Sequence, residues 1–415
     1  MARFEARLLP GLKFRHRPKT GSRFPHQLIR RPRRCDQKVT WLVQPSLAQR
    51  IREQASPQLA ECCLHLLTTL ATKSIRHKDP DHFFPLHSEL LRGIYTSRYH
   101  GATMSLLRKL GAIELRRDGS YEPGVACKKY RLAAAFRDIE AIPSVSHSLA
   151  ARSNLIYTRS AFRKYQRPEH RWVMKCFYRA TLHPGLDAVL SRHDFPSPLS
   201  RIASLHNIDV VREHRLEVVV DEKTGRMYYP IANLPKIARR HLLLEGEPTV
   251  EVDIAACQPT LLAMLYPDRR NGEFNRYLEL VQSERFYETI AEWAGLGWTR
   301  GEAKEAFFSQ IAYSYAAVWT KLPLYPHFAA RFPELMQHIA RLKCRHKAYL
   351  PLEMQSLEAD IMIRGVCAEC ADRKIPVLPV HDSIICAREQ AAAVKELVLA
   401  HWDRVTGLPC RLRAQ

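Results

Sequence analysis

The sequence has no long apolar run and is short of acidic residues. Its apolar stretches, of which 261–266 is typical, fall far below the roughly 20 residues that a membrane-spanning helix needs. We therefore expect no membrane span and a cytoplasmic location, associated with the nucleoid if the source is bacterial. Only 42 Asp and Glu residues oppose 64 Lys and Arg residues, which gives a net charge of +22 over 415 residues. This excess predicts a polyanionic partner, and nucleic acid is favoured over an anionic membrane surface.

The sequence also lacks the features of a disulfide framework, a structural zinc site or a secretory signal. Its 11 cysteines are an odd number scattered through apolar contexts, which is typical of reduced thiols. The one CxxC motif, Cys367 to Cys370, has no second pair, so burial as small apolar side chains is favoured over a zinc or redox site. The first residues include several arginines but no apolar segment with a cleavage site.

Residues 1–50 are the most basic part of the chain. They contain 13 Lys or Arg residues against Glu5 and Asp36, which is half of the net positive charge in an eighth of the sequence. This composition is typical of a solvated arm, and the same charges would bind phosphates. We predict a basic flexible arm over 1–50.

Residues 51–140 follow the order of a winged helix-turn-helix domain, which is helix, short helix, helix and hairpin. Helical periodicity over 57–110 is followed by two strand-like segments at 112–116 and 128–132. The amino-acid sequence of the last helix and the hairpin also resembles that of winged-helix domains. The resemblance implies that the helix 97–110 enters a DNA groove, and use of the domain for protein contacts alone is the alternative.

The polar side chains of this domain are its candidate DNA contacts. The helix is predicted to present Ser97, Arg98, His100, Thr103 and Arg108 to the groove. The hairpin adds cations that are expected to lie near phosphates, namely Arg116, Arg117, Lys128 and Lys129. The region 141–222, helical in composition with proline-rich joints, is predicted to be a connector or a thumb-like region.

Two segments of the remaining region, 223–415, each bring an aspartate to the end of a strand-like run. Asp253 ends the run 249–253, and Asp382 follows the run that begins at Ile375. Alone, either aspartate is as typical of a strand end or a helix cap. Together on adjacent strands, two carboxylates are what two-metal phosphoryl transfer requires. The pair predicts a site for two Mg²⁺ ions, for which Mn²⁺ is expected to substitute.

Between the two aspartates lies a helical segment with cations at a regular spacing. Arg300, Lys304 and Phe308 recur at every fourth residue, which places all three on one face of a helix. Two cations and an aromatic ring suit a nucleoside triphosphate, with the cations on the phosphates and the ring beneath the base. A solvated amphipathic helix is the alternative interpretation of the same spacing.

These segments resemble the palm and fingers of family A DNA polymerases and of single-subunit, phage-type RNA polymerases. The stretch from Val252 resembles motif A, the Arg300 helix resembles motif B, and 381–383 resembles motif C. Two further segments occur in the same order, with 224–226 and 233–235 before motif A and 354–362 before motif C. The nearer resemblance is to compact polymerase-like proteins of phages and mobile elements. The implied fold is α+β, a right-hand palm with helical fingers and thumb, preceded by the winged helix.

The resemblance implies a role for each matching residue. Asp253 and Asp382 would bind the metal ions, and Lys304 would also protonate the leaving pyrophosphate. The nucleotide would be contacted by Arg300, Lys304, Phe308, Gln258 and Tyr313. The primer-template would be contacted by Arg226, Gln355 and His381. The expected partners are DNA, as a primer-template or a single strand, nucleoside triphosphates, and replication proteins.

Three departures from the family pattern leave the choice of sugar open. Gln258 stands where family A DNA polymerases place a glutamate that screens out ribose, and Ser383 stands where their motif C has a glutamate. The aromatic residue expected eight positions after Lys304 falls on Ala312, with Tyr313 next to it. We expect a template-directed DNA polymerase without a proofreading exonuclease. The alternatives are an RNA polymerase or primase, and a noncatalytic DNA-binding accessory protein or regulator.

Overall fold

The computed structural model describes residues 37–76, 83–116, 127–146, 149–314, 321–345 and 349–414. The predicted α+β class is confirmed, since the fold is mostly helical and contains one large antiparallel sheet. Within these ranges, no helix is long and apolar enough to cross a membrane. Two hydrophobic cores are present, one in the N-terminal part and one around the large sheet.

The N-terminal part contains two small sheets and three helices. Strand β1 (Gln37–Val43) pairs with β5 (Glu140–Ser146), and β2 (Phe84–Pro85), β4 (Lys129–Leu132) and β3 (Ile113–Leu115) form a second sheet in that spatial order. The helices are Pro45–Gln54, Pro57–Arg76 and Ser88–Lys109. The third helix is broken at Thr96, whose φ of 67° and ψ of 161° divide it into two segments. The chain thus follows the order that the sequence predicts, and its assignment as a winged helix stays an interpretation.

The flexible arm predicted over 1–50 extends too far. Residues from Gln37 onward form β1 and a helix, and Trp41, Val43 and Leu47 are buried. The physical reason is that β1 buries Val39, Trp41, Leu42 and Val43, an apolar segment that the high local charge obscures. Residues 1–36 lie outside the described ranges.

The connector is mostly helical, but its two ends belong to neighbouring sheets. Strand β5 pairs with β1 of the N-terminal part, and β6 (Ala180–Leu182) pairs with β9 (Leu242–Leu244) of the large sheet. Between and after these strands lie the helices Leu149–Lys164, Pro168–Phe177, Leu186–Leu190 and Pro198–Arg212. A boundary drawn at residue 140 therefore cuts through a strand pair, because pairing partners are distant in sequence.

The large sheet has six strands in the order β11, β12, β10, β9 and β6, with β13 also pairing with β10. The remaining strand ranges are β10 (Glu247–Ile254), β11 (Val377–Val380), β12 (Ser383–Ala387) and β13 (Leu412–Ala414). Strands β11 and β12 are buried along their whole length. Helical segments pack against these strands: Pro168–Phe177, Asp360–Cys367 and Ala391–Thr406.

A helical layer separates β10 from β11 in the sequence. It comprises Cys257–Leu262, Gly272–Gln282, Phe286–Ala294, Arg300–Ala306, Leu324–Arg331, Pro333–Arg345 and Tyr349–Ala359. Aromatic rings pack within the layer. Phe307 lies edge-on to Phe286 with ring centroids 5.2 Å apart, and Phe328 lies tilted against Phe332 at 5.1 Å. Each such buried ring contributes on the order of 2 to 3 kcal/mol of transfer free energy. This buried aromatic packing stabilises the helices that carry the exposed residues of the layer.

Candidate active site

Strand pairing brings Asp253 and Asp382 together. Asp253 is the penultimate residue of β10, and Asp382 lies in the turn between β11 and β12. The antiparallel register sets Asp253 opposite Ser383, and the N–H of Ile254 donates to the carbonyl of Asp382 over 3.2 Å. The two carboxylates therefore lie at the same edge of the sheet.

Both aspartates stand beside a sharp turn of the backbone. His381, just before Asp382, and Ala256, three residues after Asp253, adopt left-handed conformations with φ of 55° and 51°. Left-handed backbone is uncommon for residues other than glycine, and such residues are often found at functional sites. The His381 ring lies edge-on to Tyr228 at 5.8 Å, and burial lowers its pKa to about 4, so the ring is neutral at pH 7.

The two carboxyl groups disfavour each other's ionisation. Burial, followed by the charges of Asp382 and Glu251, raises the pKa of Asp253 to about 6. Burial also raises the pKa of Asp382, and the charge of Glu251 adds to the shift. The cations of Lys304 and, for Asp253, Arg413 oppose these shifts. Two crowded carboxylates gain from a bound cation, since a cation removes the repulsion between them.

The donor set suits a hard divalent ion. Two carboxylates face one cavity, and Mg²⁺ is typically held by one or two carboxylates, with water and substrate phosphates as its other ligands. Among the described residues, no group of three or more His, Cys, Asp or Glu side chains could hold a metal ion. The residues present therefore fit an ion shared with a substrate better than a structural ion held by protein alone.

A capping box starts the helix that carries the predicted cations. The Thr299 side chain accepts from the N–H of Glu302, and the Glu302 carboxylate accepts from the N–H of Thr299. Arg300 pairs with Glu288 at 3.0 Å and lies 5.4 Å from the Tyr287 ring. Lys304 is exposed, 6.0 Å from the same ring. Lys304 is thus the more adaptable of the two cations.

A π-helical segment shifts Tyr313 into the site. After Ala306 the helix continues as a π-helix over Phe307–Ala312, and the N–H of Tyr313 donates to the carbonyl of Phe308, five residues earlier, over 2.8 Å. A π turn inserts one residue relative to an α-helix. Tyr313 therefore takes the position that an uninterrupted α-helix would give to Ala312. Its ring lies 5.5 Å from that of Phe308.

Hydrogen bonds connect Tyr313 to the sheet side of the cavity. The Tyr313 hydroxyl donates to Oε1 of Gln258 over 2.7 Å, and Nε2 of Gln258 donates to Glu358 over 3.3 Å. Arg226 pairs with the same Glu358 carboxylate at 2.6 Å. Burial raises the pKa of Tyr313, opposed by the charge of Arg226 and by side-chain hydrogen bonds with Gln258 and Gln355. This network ties four predicted site residues together through one that was not predicted, Glu358.

Arg226 is set in place by a tight hairpin between β7 (Val219–Val220) and β8 (Met227–Tyr228). The Asp221 carboxylate accepts from the N–H of Thr224 over 2.7 Å, and Gly225 has a φ of 76°. At this φ a residue with a Cβ would be strained, and the Cβ would lie 2.0 Å from the Arg364 guanidinium, so glycine is favoured there. The conformation of the Thr224-Gly225-Arg226 motif is thereby explained.

Nearly all of the predicted polymerase-site residues line one open cavity of about 910 Å³. They are Arg226, Asp253, Gln258, Arg300, Lys304, Phe308, Tyr313, His381 and Asp382. Gln355 does not line the cavity, but its side chain hydrogen-bonds with Tyr313. The structure thus brings together side chains that are up to 156 positions apart, between Arg226 and Asp382.

Several residues of the cavity were missed from the sequence. They are Lys236, Arg239, Glu251, Tyr287, Glu358 and Arg413. Arg413 arrives because β13 pairs with β10 and sets Arg413 opposite Asp253, a pairing that no local pattern signals. Glu358 lies in the helix Tyr349–Ala359, and a carboxylate is rarely buried without a partner. It is 2% exposed in its side chain, and burial raises its pKa to about 7.

Most of the cations predicted to contact DNA in the N-terminal part are exposed to solvent. Arg98, Arg108, Arg116 and Lys128 are exposed, while Lys129 is partly buried on β4. Arg108 is tied to Tyr130, to whose hydroxyl it donates over 2.8 Å. The prediction for Thr103 is wrong, because this residue is fully buried and its hydroxyl donates to the carbonyl of Tyr99. Arg117 lies outside the described residues.

Comparison with known proteins finds distant structural similarity and no matching family. No family model matches the chain, and no curated protein matches it. Among solved structures, the POL domain of Pol1 from M. smegmatis, in complex with DNA primer-template and dNTP, matches with a TM-score of 0.40 and 11% sequence identity. The match covers 90% of this chain and 66% of that chain, so this chain spans just under two thirds of that structure. A likeness this distant carries no conclusion about activity.

Proposed function

We propose that the protein is a template-directed nucleotidyltransferase, a compact DNA polymerase that extends a 3′-hydroxyl with nucleoside triphosphates. One observation carries the proposal. Two crowded carboxylates, Asp253 and Asp382, share a cavity with a helix face that bears Arg300, Lys304 and Phe308. Carboxylates alone would suit many metal sites, and cations alone would suit any anion. Their combination suits a metal-bound triphosphate.

The two aspartates would hold the metal ions. When bound, Mg²⁺ ions activate the attacking hydroxyl and neutralise charge on the phosphates, and Mn²⁺ would substitute for them. The carboxylates of Asp253 and Asp382 would hold these ions at the sheet edge. The raised pKa of Asp253, about 6, means that this carboxyl is ionised only above that pH unless a cation is present.

The helix face would bind the nucleotide. Lys304, exposed and free of a fixed carboxylate partner among the described ion pairs, would hold the triphosphate and deliver a proton to the departing pyrophosphate. Arg300, held by Glu288, would bind the same phosphates from a fixed position. Phe308 and Tyr313, 5.5 Å apart, would form the surface on which the base or sugar lies.

The sheet side of the cavity would hold the primer-template. Arg226 is fixed by Glu358, and Gln355 contacts Tyr313, so both are oriented before DNA arrives. His381 is neutral and directly precedes Asp382, which suits it to a hydrogen bond with the primer terminus rather than an ionic one. The exposed cations Arg98, Arg108, Arg116 and Lys128 would add affinity for the duplex.

A noncatalytic DNA-binding protein is the main rival. Such a protein has no need for two partly buried carboxylates whose pKa values stay raised despite the nearby cation of Lys304, since this lowers stability at neutral pH. A regulator that uses only the N-terminal part would leave the whole cavity without a role.

Primer extension tests the proposal. The full chain would be offered DNA or RNA templates, with or without a primer, and dNTPs or rNTPs with Mg²⁺ or Mn²⁺. Extension that depends on a template and a divalent ion is the expected result. Synthesis from rNTPs would assign an RNA polymerase or primase instead. DNA binding without incorporation under any of these conditions would overturn the proposal in favour of the accessory protein.

A further inference from the structure

A buried lysine lies behind the nucleotide-binding helix. Lys343, on the helix Pro333–Arg345, is only 5% exposed. Its Nζ donates to the carbonyl of Ile311 over 2.7 Å and to the carbonyl of Ser314 over 2.8 Å. Lysine is rarely buried to this extent, so the burial of Lys343 needs a physical explanation.

The two carbonyls lie where a helix ends. The π-helical segment Phe307–Ala312 stops just before Tyr313, and the last carbonyls of a helix have no N–H partners within it. A cation at this end is also favoured by the helix dipole. Lys343 therefore supplies donors to carbonyls on either side of Tyr313. The side chain of Gln310 adds a second tie, since its Oε1 accepts from the N–H of Leu324 over 2.9 Å.

Tyr313 lies between the two carbonyls that Lys343 binds. Its neighbours Ile311 and Ser314 are anchored by Lys343, while its hydroxyl reaches Gln258 over 2.7 Å. An inserted π turn is less regular than an α-helix and needs support from its surroundings to persist. We infer that Lys343 is a positioning residue, which holds Tyr313 in the nucleotide site through the backbone carbonyls of Ile311 and Ser314. The inference rests on the proposed function for its kinetic part only.

Packing alone does not account for a lysine at this position. The same helix buries Leu335, Met336, Ile339 and Leu342, so an apolar side chain would serve the core. Burial lowers the pKa of Lys343 to about 7, which reflects the cost of keeping a cation there. What lysine adds to an apolar residue is a set of N–H donors at the carbonyls of the segment 311–314.

Hydrogen exchange tests the positioning without any need for activity. Lys343→Met keeps the length of the side chain and removes the donors, and Lys343→Arg keeps donors and charge. Lys321→Met, the control, changes an exposed lysine just before the helix Leu324–Arg331. In Lys343→Met, the amide of Tyr313 should exchange at least about tenfold faster, since the lost hydrogen bonds no longer hold the segment. The amides of β10 should keep their rates. Lys343→Arg should retain most of the protection.

Steady-state kinetics then test the consequence for the nucleotide. For Lys343→Met, KM for the incoming nucleotide should rise by about tenfold or more while kcat changes less, because base stacking rather than chemistry is affected. Lys343→Arg and Lys321→Met should stay within about twofold of the unaltered chain. Unchanged exchange at Tyr313 in Lys343→Met would overturn the positioning role. Faster exchange with an unchanged KM would overturn the link to the nucleotide. An unaltered chain without incorporation would instead refute the proposed function and leave the exchange result to decide the positioning role.

Discussion

The backbone N–H of Ile254 donates to the carbonyl oxygen of Asp382 over 3.2 Å. This bond, together with the pairing of β10 with β12, fixes Asp253 and Asp382 next to each other. Their carboxyl groups then share one edge of the sheet, where burial and like charge raise both pKa values. The same closeness that makes the two carboxylates repel each other would let them bind one metal site together.

Replacing Asp253 with asparagine should stabilise the metal-free protein at neutral pH. An unfolded aspartate has a pKa of about 3.9, whereas burial and the charge of Asp382 raise that of Asp253 to about 6. The folded state therefore holds its proton longer, and the free energy of unfolding falls as the pH rises from about 4 to about 6. Asp253→Asn lacks this loss, so in EDTA its Tm at pH 8 should exceed that of the unaltered chain.

The difference should vanish below about pH 4, where both carboxyl groups are protonated in either state. Asp403→Asn, at an exposed aspartate of the helix Ala391–Thr406, serves as the control and should show no such gain. Added Mg²⁺ should raise the Tm of the unaltered chain more than that of Asp253→Asn. A lower Tm for Asp253→Asn in EDTA at pH 8 would show that the carboxylate has a stabilising partner and is not in conflict with Asp382.

Removing the Tyr313 ring should weaken nucleotide use. Tyr313 is 39% exposed to the cavity and lies beside Phe308, so Tyr313→Ala removes half of the aromatic surface. Loss of a base stack costs about 1 to 3 kcal/mol, so KM should rise by about fivefold or more. Single-nucleotide incorporation over a range of dNTP concentrations measures this change.

Tyr313→Phe separates the ring from its hydroxyl. This variant keeps the stacking surface and loses the hydrogen bond to Gln258, so KM should change little while the ratio of dNTP to rNTP use shifts. Leu296→Ala, at an apolar side chain that is 54% exposed, is a control for loss of exposed apolar surface. Equal KM values for Tyr313→Ala and Leu296→Ala would remove Tyr313 from the nucleotide site.

The sequence predicted which side chains share the cavity where those side chains lie in short local motifs. Asp253 and Asp382 end strand-like runs, and Arg300, Lys304 and Phe308 share a helical period, so local periodicity was enough to find them. The same reasoning failed for Thr103. Its position on the helix predicted that it faces DNA, but the residue is buried against the domain core.

Other parts of the site depend on contacts that local patterns do not report. The π turn that places Tyr313 in the site has no signature in the residue spacing. Counting eight residues from Lys304 therefore put the expected aromatic position at Ala312 rather than at Tyr313. Arg413 reaches Asp253 only through the pairing of β13 with β10. Lys343 acts on Ile311 from another helix, 32 residues away in the chain. Each of these is a tertiary effect that single-sequence reasoning cannot supply.

Two truncations should separate the role of the basic N-terminal residues from that of the fold. Removing residues 1–36 deletes 11 Lys or Arg residues before β1 begins, so the slope of log Kd for DNA against log salt should become shallower. The Tm should hardly change. Binding titrations from low to high salt, with a duplex of fixed length, measure the slope.

Removing residues 1–43 also deletes β1 and should reduce stability. Strand β1 pairs along seven residues with β5 and buries Trp41 and Leu42, so its loss exposes the N-terminal core. We expect a Tm several degrees lower for this truncation than for removal of 1–36. An unchanged salt slope after removal of 1–36 would mean that those cations do not contact phosphate.

The most direct test of the account compares nucleotide incorporation and DNA binding in the unaltered chain and in Asp382→Asn. Asparagine keeps the shape of the turn but loses the charge that would hold Mg²⁺. We predict that Asp382→Asn binds primer-template with a Kd within about twofold of the unaltered chain. Its rate of incorporation should fall by more than about a hundredfold, because the loss of a group that only supports a metal ligand already costs about 10- to 100-fold. Incorporation by Asp382→Asn at a rate close to that of the unaltered chain would contradict the assignment of this site.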